Sequence, residues 1–173
     1  RRRAVPVPAP ARALPTSDPF HATLRDEPLI EKMISTGYTG RKGKGGFYRL
    51  NRADGQKLKE AIDLSTGEYR PQEKAAVPEL EDGGGKNLPR LLASKGTAGT
   101  YARKVMGGTL AYAARLVPEA ADDIVALDDA MRLGYNWKFG PFELIDKIGA
   151  ANLIDLLKAE GQEIPALLAL AAD

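Results

Sequence analysis

Three consecutive glycines, Gly83-Gly84-Gly85, stand near the middle of the chain, and we expect no helix or strand to continue through them. A run of residues without side chains behaves as a flexible connection. Short alternating patterns precede this run, whereas apolar residues at helical spacing follow it. The glycine run therefore predicts two separately built parts, with residues 71–86 as the polar connection between them.

Residues 87–173 are predicted to be helical because their apolar residues recur at intervals of three and four. Asn87 and Thr100 are candidate N-caps, as is Asp122 or Asp123, because short polar side chains accept hydrogen bonds from the first amides of a helix. Proline or glycine ends most of these segments. The expected helices are 87–92, 101–116, 122 or 123 to 133, 141–148, 152–160 and 164–172.

The first half of the chain has a different pattern. Residues 1–19 are a predicted linker, since five of the twelve prolines fall there. Residues 27–36 carry apolar residues on one helical face, and Asp26 is their candidate N-cap. Between 46 and 70, short apolar runs alternate with turns, which predicts two or three antiparallel strands lying on helices. The fold class is therefore mainly α with a small antiparallel β meander.

Composition excludes several kinds of site. The chain has no cysteine, which removes disulfides, thiolate catalysis and cysteine-ligated metals. His21, the single histidine, is expected to be a surface or locally bonded residue, and no metal site is predicted. No stretch of about 18 apolar residues occurs, so we expect no membrane partner. Residues 1–50 hold 10 Lys and Arg against 4 Asp and Glu, too small an excess to predict a nucleic-acid partner.

Residues 37–48 combine glycines with cations, a composition that is able to surround a phosphate. The spacing is not that of a P-loop, since five residues separate Gly37 from Gly43 and Gly45 rather than Ser or Thr follows Lys44. A dinucleotide fingerprint needs a strand before the glycines and a helix after them, whereas here a helix precedes them and a strand follows. One interpretation is structural: a helix end, a tight loop and the start of a strand. The alternative is that Arg41, Lys42 and Lys44 contact an anionic ligand.

Residues 134–149 hold the single tryptophan and a Gly-Pro pair that predicts the start of a helix. Two of its carboxylates are three residues apart, a spacing that would suit acid–base chemistry, although a local role at the helix N-terminus is favoured. The acidic run 122–129 is interpreted as a capped, solvated face. The residues singled out as a structural motif are Trp137, Gly140, Pro141, Phe142, Glu143 and Asp146.

Residues 140–149 resemble the signature of the helical C-terminal domain of 3-hydroxyacyl-CoA dehydrogenases, and residues 40–48 resemble the sequence that ends such a domain. In one family domain these two segments occur in the opposite order. The resemblance therefore implies the tail of a first copy at 20–50, a β meander and connection at 51–86, and a second copy at 87–173. Such tandem copies are typical of bacterial multidomain β-oxidation enzymes, of which this chain resembles a C-terminal piece.

The resemblance also implies an activity, the NAD-dependent oxidation of (3S)-3-hydroxyacyl-CoA. The catalytic His–Glu pair and the NAD site would lie in an upstream Rossmann domain, so this chain is expected to bind no cofactor and to be inactive alone. The family's substrate-positioning Asn aligns near Arg103, and a guanidinium only donates hydrogen bonds, so the second copy is expected to be non-catalytic.

The same resemblance implies partners and a location. We expect contact with the upstream Rossmann domain and the first helical domain of the same protein, and with acyl-CoA, weakly assigned to Arg41, Lys42 and Lys44. A fused or associated enoyl-CoA hydratase, a homodimer and a cytoplasmic location are further expectations. The alternative is an interaction or dimerisation module without CoA contact.

Overall fold

The computed structural model describes residues 13–52, 55–81 and 87–172. The glycine run 83–85 and most of the predicted linker lie outside these ranges. The chain divides into two compact units, one up to Ala75 and one from Ala76, here called the sheet unit and the helical unit. The predicted boundary after residue 50 falls within the first strand of the sheet unit.

The sheet unit holds one α-helix and an antiparallel meander, as the sequence predicts. The strands pair in the order β1-β2-β3, with Tyr48 opposite Ala61 and Ala61 opposite Arg70. A short 3-10 helix, Pro19–Thr23, precedes them and is capped by Asp18. The elements are α1 (Pro28–Ser35), β1 (Tyr48–Asn51), β2 (Leu58–Ile62) and β3 (Tyr69–Pro71).

Helix α1 lies on one face of this sheet, and the strand alternation explains which residues it covers. Glu60 and Ile62 are buried on the covered face, together with Met33 of α1. Three details of the prediction are wrong. Ile30 and Ile34 are exposed, although the apolar spacing of residues 27–36 places both on the apolar helical face. Glu27 rather than Asp26 stands at the N-cap, where its side chain makes no capping hydrogen bond.

The helical unit confirms the helical prediction for the second half of the chain. Asn87 accepts a hydrogen bond from the amide of Arg90, and Asp123 from that of Ala126, so both predicted caps are present. A 3-10 turn, Pro78–Leu80, lies before the first helix. The helices are α2 (Leu88–Ala93), α3 (Thr97–Ala102), α4 (Gly108–Arg115), α5 (Ile124–Tyr135), α6 (Pro141–Ile148), α7 (Ala150–Ala159) and α8 (Ala166–Leu170).

Helices α3 and α4 are joined by a π-helical segment, Arg103–Gly107, which the sequence pattern did not predict. Thr100 is not the N-cap of this long helix. The N-cap is Gly96, and the Thr100 hydroxyl instead donates a hydrogen bond to the Gly96 carbonyl at 3.1 Å. A Cβ at Gly99 would overlap the carbonyl oxygen of Ser94, so only glycine permits this approach of α3 to the end of α2.

One apolar core joins the helices of this unit. Its most deeply buried side chains come from α2, α4, α7 and α8, and Phe142, Ile145 and Ile148 of α6 pack among them. Val105, which the apolar spacing of the predicted helix 101–116 places on its buried face, is exposed and lies in the π-helical segment. Among the described residues, no helix has the length and apolar character that spanning a bilayer requires. The central leucines are Leu92, Leu110, Leu153, Leu157 and Leu168.

Candidate functional site

The glycine-rich loop between α1 and β1 satisfies most of its backbone internally. The amide of Gly40 donates to the Gly45 carbonyl at 2.7 Å, and that of Lys44 donates to the Gly37 carbonyl at 3.0 Å. Gly37 and Gly40 have φ of 88° and 96°, in the region that disfavours side chains. The structure therefore has the predicted helix end, tight loop and strand start.

The three cations of this loop remain candidates for an anion contact. Arg41, Lys42 and Lys44 are exposed, and none of them has an acidic partner within 4.0 Å among the described residues. The Lys44 stem lies against Gly37, with its Cε 3.5 Å from the place a Cβ would take. The loop thus holds at least this one cation close to the end of α1.

Beneath the loop lies a polar cluster that sequence reasoning missed. The Arg49 Nε donates to Glu60 at 2.5 Å and its Nη1 donates to the Tyr38 hydroxyl at 2.7 Å. The guanidinium carbon stands 3.9 Å from the ring centre of Tyr69, whose hydroxyl donates to the carbonyl of Gly46 at 2.6 Å. The cluster therefore ties the loop to the sheet. Arg49 and Glu60 are opposite each other across β1 and β2, a pairing that only the register of the two strands reveals.

The charges of this cluster shift two pKa values in opposite directions. Hydrogen bonds from Arg49 and Asn51 lower the pKa of the Glu60 carboxyl, whereas burial raises the pKa of the Tyr69 phenol. Both groups therefore keep their present protonation over the neutral range. Between α1 and this face of the sheet is a cavity of about 220 Å³, lined by Met33, Ile62 and the two tyrosines among others.

The β2–β3 turn provides a pH-dependent stability for the sheet unit. Hydrogen bonds from the Ser65 hydroxyl, the Ser65 amide and the Thr66 amide hold the pKa of the Asp63 carboxyl at about 2, against an ordinary value of 3.8. A carboxyl whose pKa is lower in the folded state than in the unfolded state stabilises the fold at pH values above its unfolded-state pKa. This contribution disappears as the pH falls through the folded-state pKa.

We therefore expect Asp63→Asn to remove part of the acid destabilisation of the sheet unit between about pH 4 and pH 2. The free energy of unfolding should be measured against pH by circular dichroism. Glu68→Gln, in the same turn, is the control, because Glu68 is exposed and its surface ion pair with Lys32 is worth little. Identical pH profiles for Asp63→Asn and wild type would show that the hydrogen bonds of the turn do not stabilise the ionised Asp63 carboxylate.

In the helical unit, the segment 134–149 is built around the start of α6. The Asp128 carboxylate of α5 accepts hydrogen bonds from the amides of Phe142 at 2.7 Å and Glu143 at 3.0 Å. The Glu143 carboxylate accepts from the Gly140 amide at 2.8 Å, which is the half of a capping box that a glycine N-cap permits, and Asp128 supplies the acceptor for the Glu143 amide. Of the two carboxylates predicted three residues apart, Glu143 therefore has the favoured local role at the helix N-terminus. Asp146, the other member of that pair, makes no capping bond among the described residues.

Asp128 corrects the sequence prediction for the acidic run 122–129. It is 8% exposed, so it does not belong to a solvated face. A Cβ at Gly140 would overlap the Asp128 side chain, which explains the glycine before Pro141. The positional signal was available, since Asp128 is four residues after Ile124 and three before Met131, on a single helical stripe.

The remaining members of the motif lie around this helix start. Trp137 is half-buried after Asn136, which ends α5 in the left-handed conformation with φ of 56°. Pro141 and Phe142 are buried at the first turn of α6. Asp146 is exposed and has no polar partner within the described part of the chain.

Arg103 is occupied by internal contacts. Its Nη1 donates to the carbonyls of Leu92 at 2.8 Å and Ser94 at 2.5 Å, and its Nη2 donates to Thr100 at 3.1 Å. The Nε is 3.7 Å from the Glu160 carboxylate. The side chain thereby satisfies carbonyls at the C-terminal end of α2, which otherwise lack partners.

Two smaller predictions concern histidine and metal. The His21 Nε2 is 2.9 Å from the carbonyl of Pro15, so His21 is locally bonded as predicted. In residues 13–52, 55–81 and 87–172, no three His, Asp or Glu side chains form a group that could hold a metal ion.

These features define the helical unit as an all-α domain whose characteristic Gly-Pro-Phe-Glu segment initiates a buried helix. Residues 99–167 match the family model described as 3-hydroxyacyl-CoA dehydrogenase, C-terminal domain. No solved structure gives a significant match to the chain.

Three curated relatives extend the similarity beyond the family segment. A protein of Rickettsia felis named as a fatty acid oxidation complex trifunctional enzyme is 40% identical over 77% of this chain. Its counterpart in Rickettsia prowazekii is 38% identical over the same share. A protein of Bacillus subtilis named as a 3-hydroxyacyl-CoA dehydrogenase is 34% identical over 79% of the chain. The chain spans only 18% of the length of each relative.

Proposed function

We propose that the chain is the C-terminal region of an NAD-dependent (3S)-3-hydroxyacyl-CoA dehydrogenase of fatty-acid β-oxidation. In this role it completes the acyl-CoA cleft and packs against other domains without supplying catalytic residues. The family match at 99–167 and the names of the relatives support the enzyme class. The observation that carries the non-catalytic role is Arg103, whose guanidinium is committed to carbonyls of its own unit.

The cofactor is proposed to bind outside this chain. NAD sites of this class need parallel strands joined through a helix, with a glycine-rich turn at the helix N-terminus. The three described strands pair only antiparallel to one another, so the described residues do not fit the cofactor. We derive no step through NAD for this chain, and we expect the chain alone to leave (3S)-3-hydroxybutyryl-CoA and NAD unchanged.

The substrate contact is proposed at the glycine-rich loop. CoA carries phosphates, and Arg41, Lys42 and Lys44 are exposed cations on one short loop whose backbone is internally bonded. Phosphate recognition by such residues depends on charge and falls with ionic strength. Arg49, in contrast, is already paired with Glu60 and is not proposed as a ligand.

Isothermal titration calorimetry with CoA tests this contact. We expect Lys44→Ala to weaken CoA binding about 5-fold, as for loss of a charged interaction worth about 1 kcal/mol. Lys57→Ala, an exposed lysine elsewhere in the sheet unit, is the matched control and should bind like wild type. Equal CoA affinities for the two variants would show that the glycine-rich loop does not contact the substrate.

A second candidate function is an interaction module without CoA contact. It is favoured by exposed apolar residues on α5, where Val125, Leu133 and Tyr135 are 62%, 86% and 74% exposed. The same titration separates the two functions. CoA binding that depends on Lys44 supports the cleft, whereas no heat of CoA binding, with wild-type folding, supports the module.

A further inference from the structure

We infer that the helical unit carries a docking groove for a basic, amphipathic polypeptide segment. The groove is a cavity of about 270 Å³ between α6 and α8, next to the start of α5. It is distinct from the glycine-rich loop, which belongs to the sheet unit, and the inference does not depend on the proposed enzyme activity. Its apolar lining includes Ile124, Phe142, Ile145 and Leu167.

The charges around this groove indicate the kind of partner. Asp146 is the single charged side chain among the described residues that line it, and it has no polar partner there. Asp122 and Asp123 precede the lining residue Ile124 in the chain and are also exposed. The neighbouring Lys147 forms no ion pair with Asp146 within 4.0 Å, and its Nζ stands over the Phe139 ring at 4.2 Å. The rim is therefore acidic.

An acidic rim around an apolar cavity selects its occupant. A lysine or arginine near the rim would form charge-assisted contacts, and a leucine- or phenylalanine-sized side chain would fill the cavity. Helices present such pairs of residues at intervals of three and four. Phosphates, free carboxylates and anionic lipid surfaces are disfavoured, because Asp146 would repel them. The groove therefore fits a protein segment that is both apolar and basic.

The apolar surface also extends beyond the cavity. Leu170 of α8 is 72% exposed and lies between the lining residues Leu168 and Ala171 in sequence. Val125 is 62% exposed directly after Ile124. These exposed apolar residues, which neighbour lining residues in sequence, are further candidate contact points for an apolar partner.

Fluorescence anisotropy of dye-labelled peptides bound to the full chain tests the inference. The probe is a helical peptide of about 14 residues with Leu and Phe at intervals of three and four and Lys elsewhere. Its twin carries Glu in place of every Lys. The net charge of +2 on the chain does not favour the Lys peptide by itself. We expect the Lys peptide to bind about 10-fold more tightly than the Glu peptide.

Two pairs of variants locate the binding. Ala171→Trp fills the groove from an exposed lining position, whereas Ala172→Trp is its exposed neighbour outside the lining. Asp146→Lys reverses the rim charge, and Asp155→Lys makes the same change on an exposed face of α7. We expect affinity for the Lys peptide to fall about 10-fold in Ala171→Trp and about 5-fold in Asp146→Lys, with both controls unchanged.

Several outcomes would overturn the inference. These are equal binding of the two peptides, no binding up to about millimolar peptide, the range of very weak affinities, or equal effects of each variant and its control. Dimerisation of the chain that Ala171→Trp abolishes, seen by sedimentation, would assign the groove to a second copy instead. Because all four positions are exposed, melting curves close to wild type are expected for each variant.

Discussion

We expect Asp128→Ala to lower the free energy of unfolding of the helical unit by about 3 kcal/mol, because two buried amides lose a charged acceptor. The Asp128 carboxylate accepts from Phe142 and Glu143 and holds the first turn of α6 to α5. Without it, those amides have no replacement from the helix itself, since the first amides of a helix lack intrahelical partners.

Urea denaturation followed by the fluorescence of Trp137 measures this effect in the helical unit alone, since Trp137 is the single tryptophan. Asp129→Ala is the matched control. Its carboxylate is exposed and, among the residues that the structure describes, pairs only with Arg132 at 3.9 Å, so its loss should change stability by less than about 0.5 kcal/mol. A similar small change for Asp128→Ala would show that the carboxylate does not cap α6.

The second large effect concerns two glycines that should respond to alanine with opposite sign. Gly140→Ala places a Cβ where the Asp128 side chain lies, and relief requires the buried carboxylate to leave its amide partners. Overpacking of this kind costs about 2–3 kcal/mol. Gly134, within α5, has open space around its Cβ position, so Gly134→Ala should stabilise by about 0.5–1 kcal/mol.

A double-mutant cycle checks the cause of the Gly140→Ala effect. In the Asp128→Ala background the clash partner is gone, so the further cost of Gly140→Ala should fall to less than half. Both series use the same urea denaturation of the helical unit. Strict additivity of the two substitutions would place the strain of Gly140→Ala somewhere other than Asp128.

The sequence was informative where a structure depends on neighbours along the chain. The caps Asn87 and Asp123 lie next to the helices they start, and the turns of the meander separate strands that pair directly. The order of helices in the second half could be predicted for the same reason. Local hydrogen bonds and apolar spacing are sufficient for such elements.

Contacts between distant residues were not predicted. The partners of Asp128 are 14 and 15 residues away, so an acidic run was mistaken for a solvated face. The Arg49–Glu60 pair required the register of two strands, and the internal role of Arg103 required the end of α2 to be placed beside it. The π-helical segment was missed because the prediction assumed one uniform helical period over residues 101–116, and five residues are too few to show a different period.

The central claim is that this chain contributes structure and substrate contact, and not catalytic groups, to a dehydrogenase. The most direct measurement compares Arg103→Met with wild type in the longer enzyme that we propose to contain this chain. Loss of hydrogen bonds to the Leu92 and Ser94 carbonyls should lower stability by about 2 kcal/mol.

The thermal midpoint and the turnover of (3S)-3-hydroxybutyryl-CoA, followed by NADH absorbance, should be measured on the same samples. The account predicts a lower melting temperature with kcat and KM unchanged at temperatures where the variant is folded. A loss of kcat of about 100-fold at an unchanged melting temperature, the size expected for a group that acts on the reacting atoms, would contradict it.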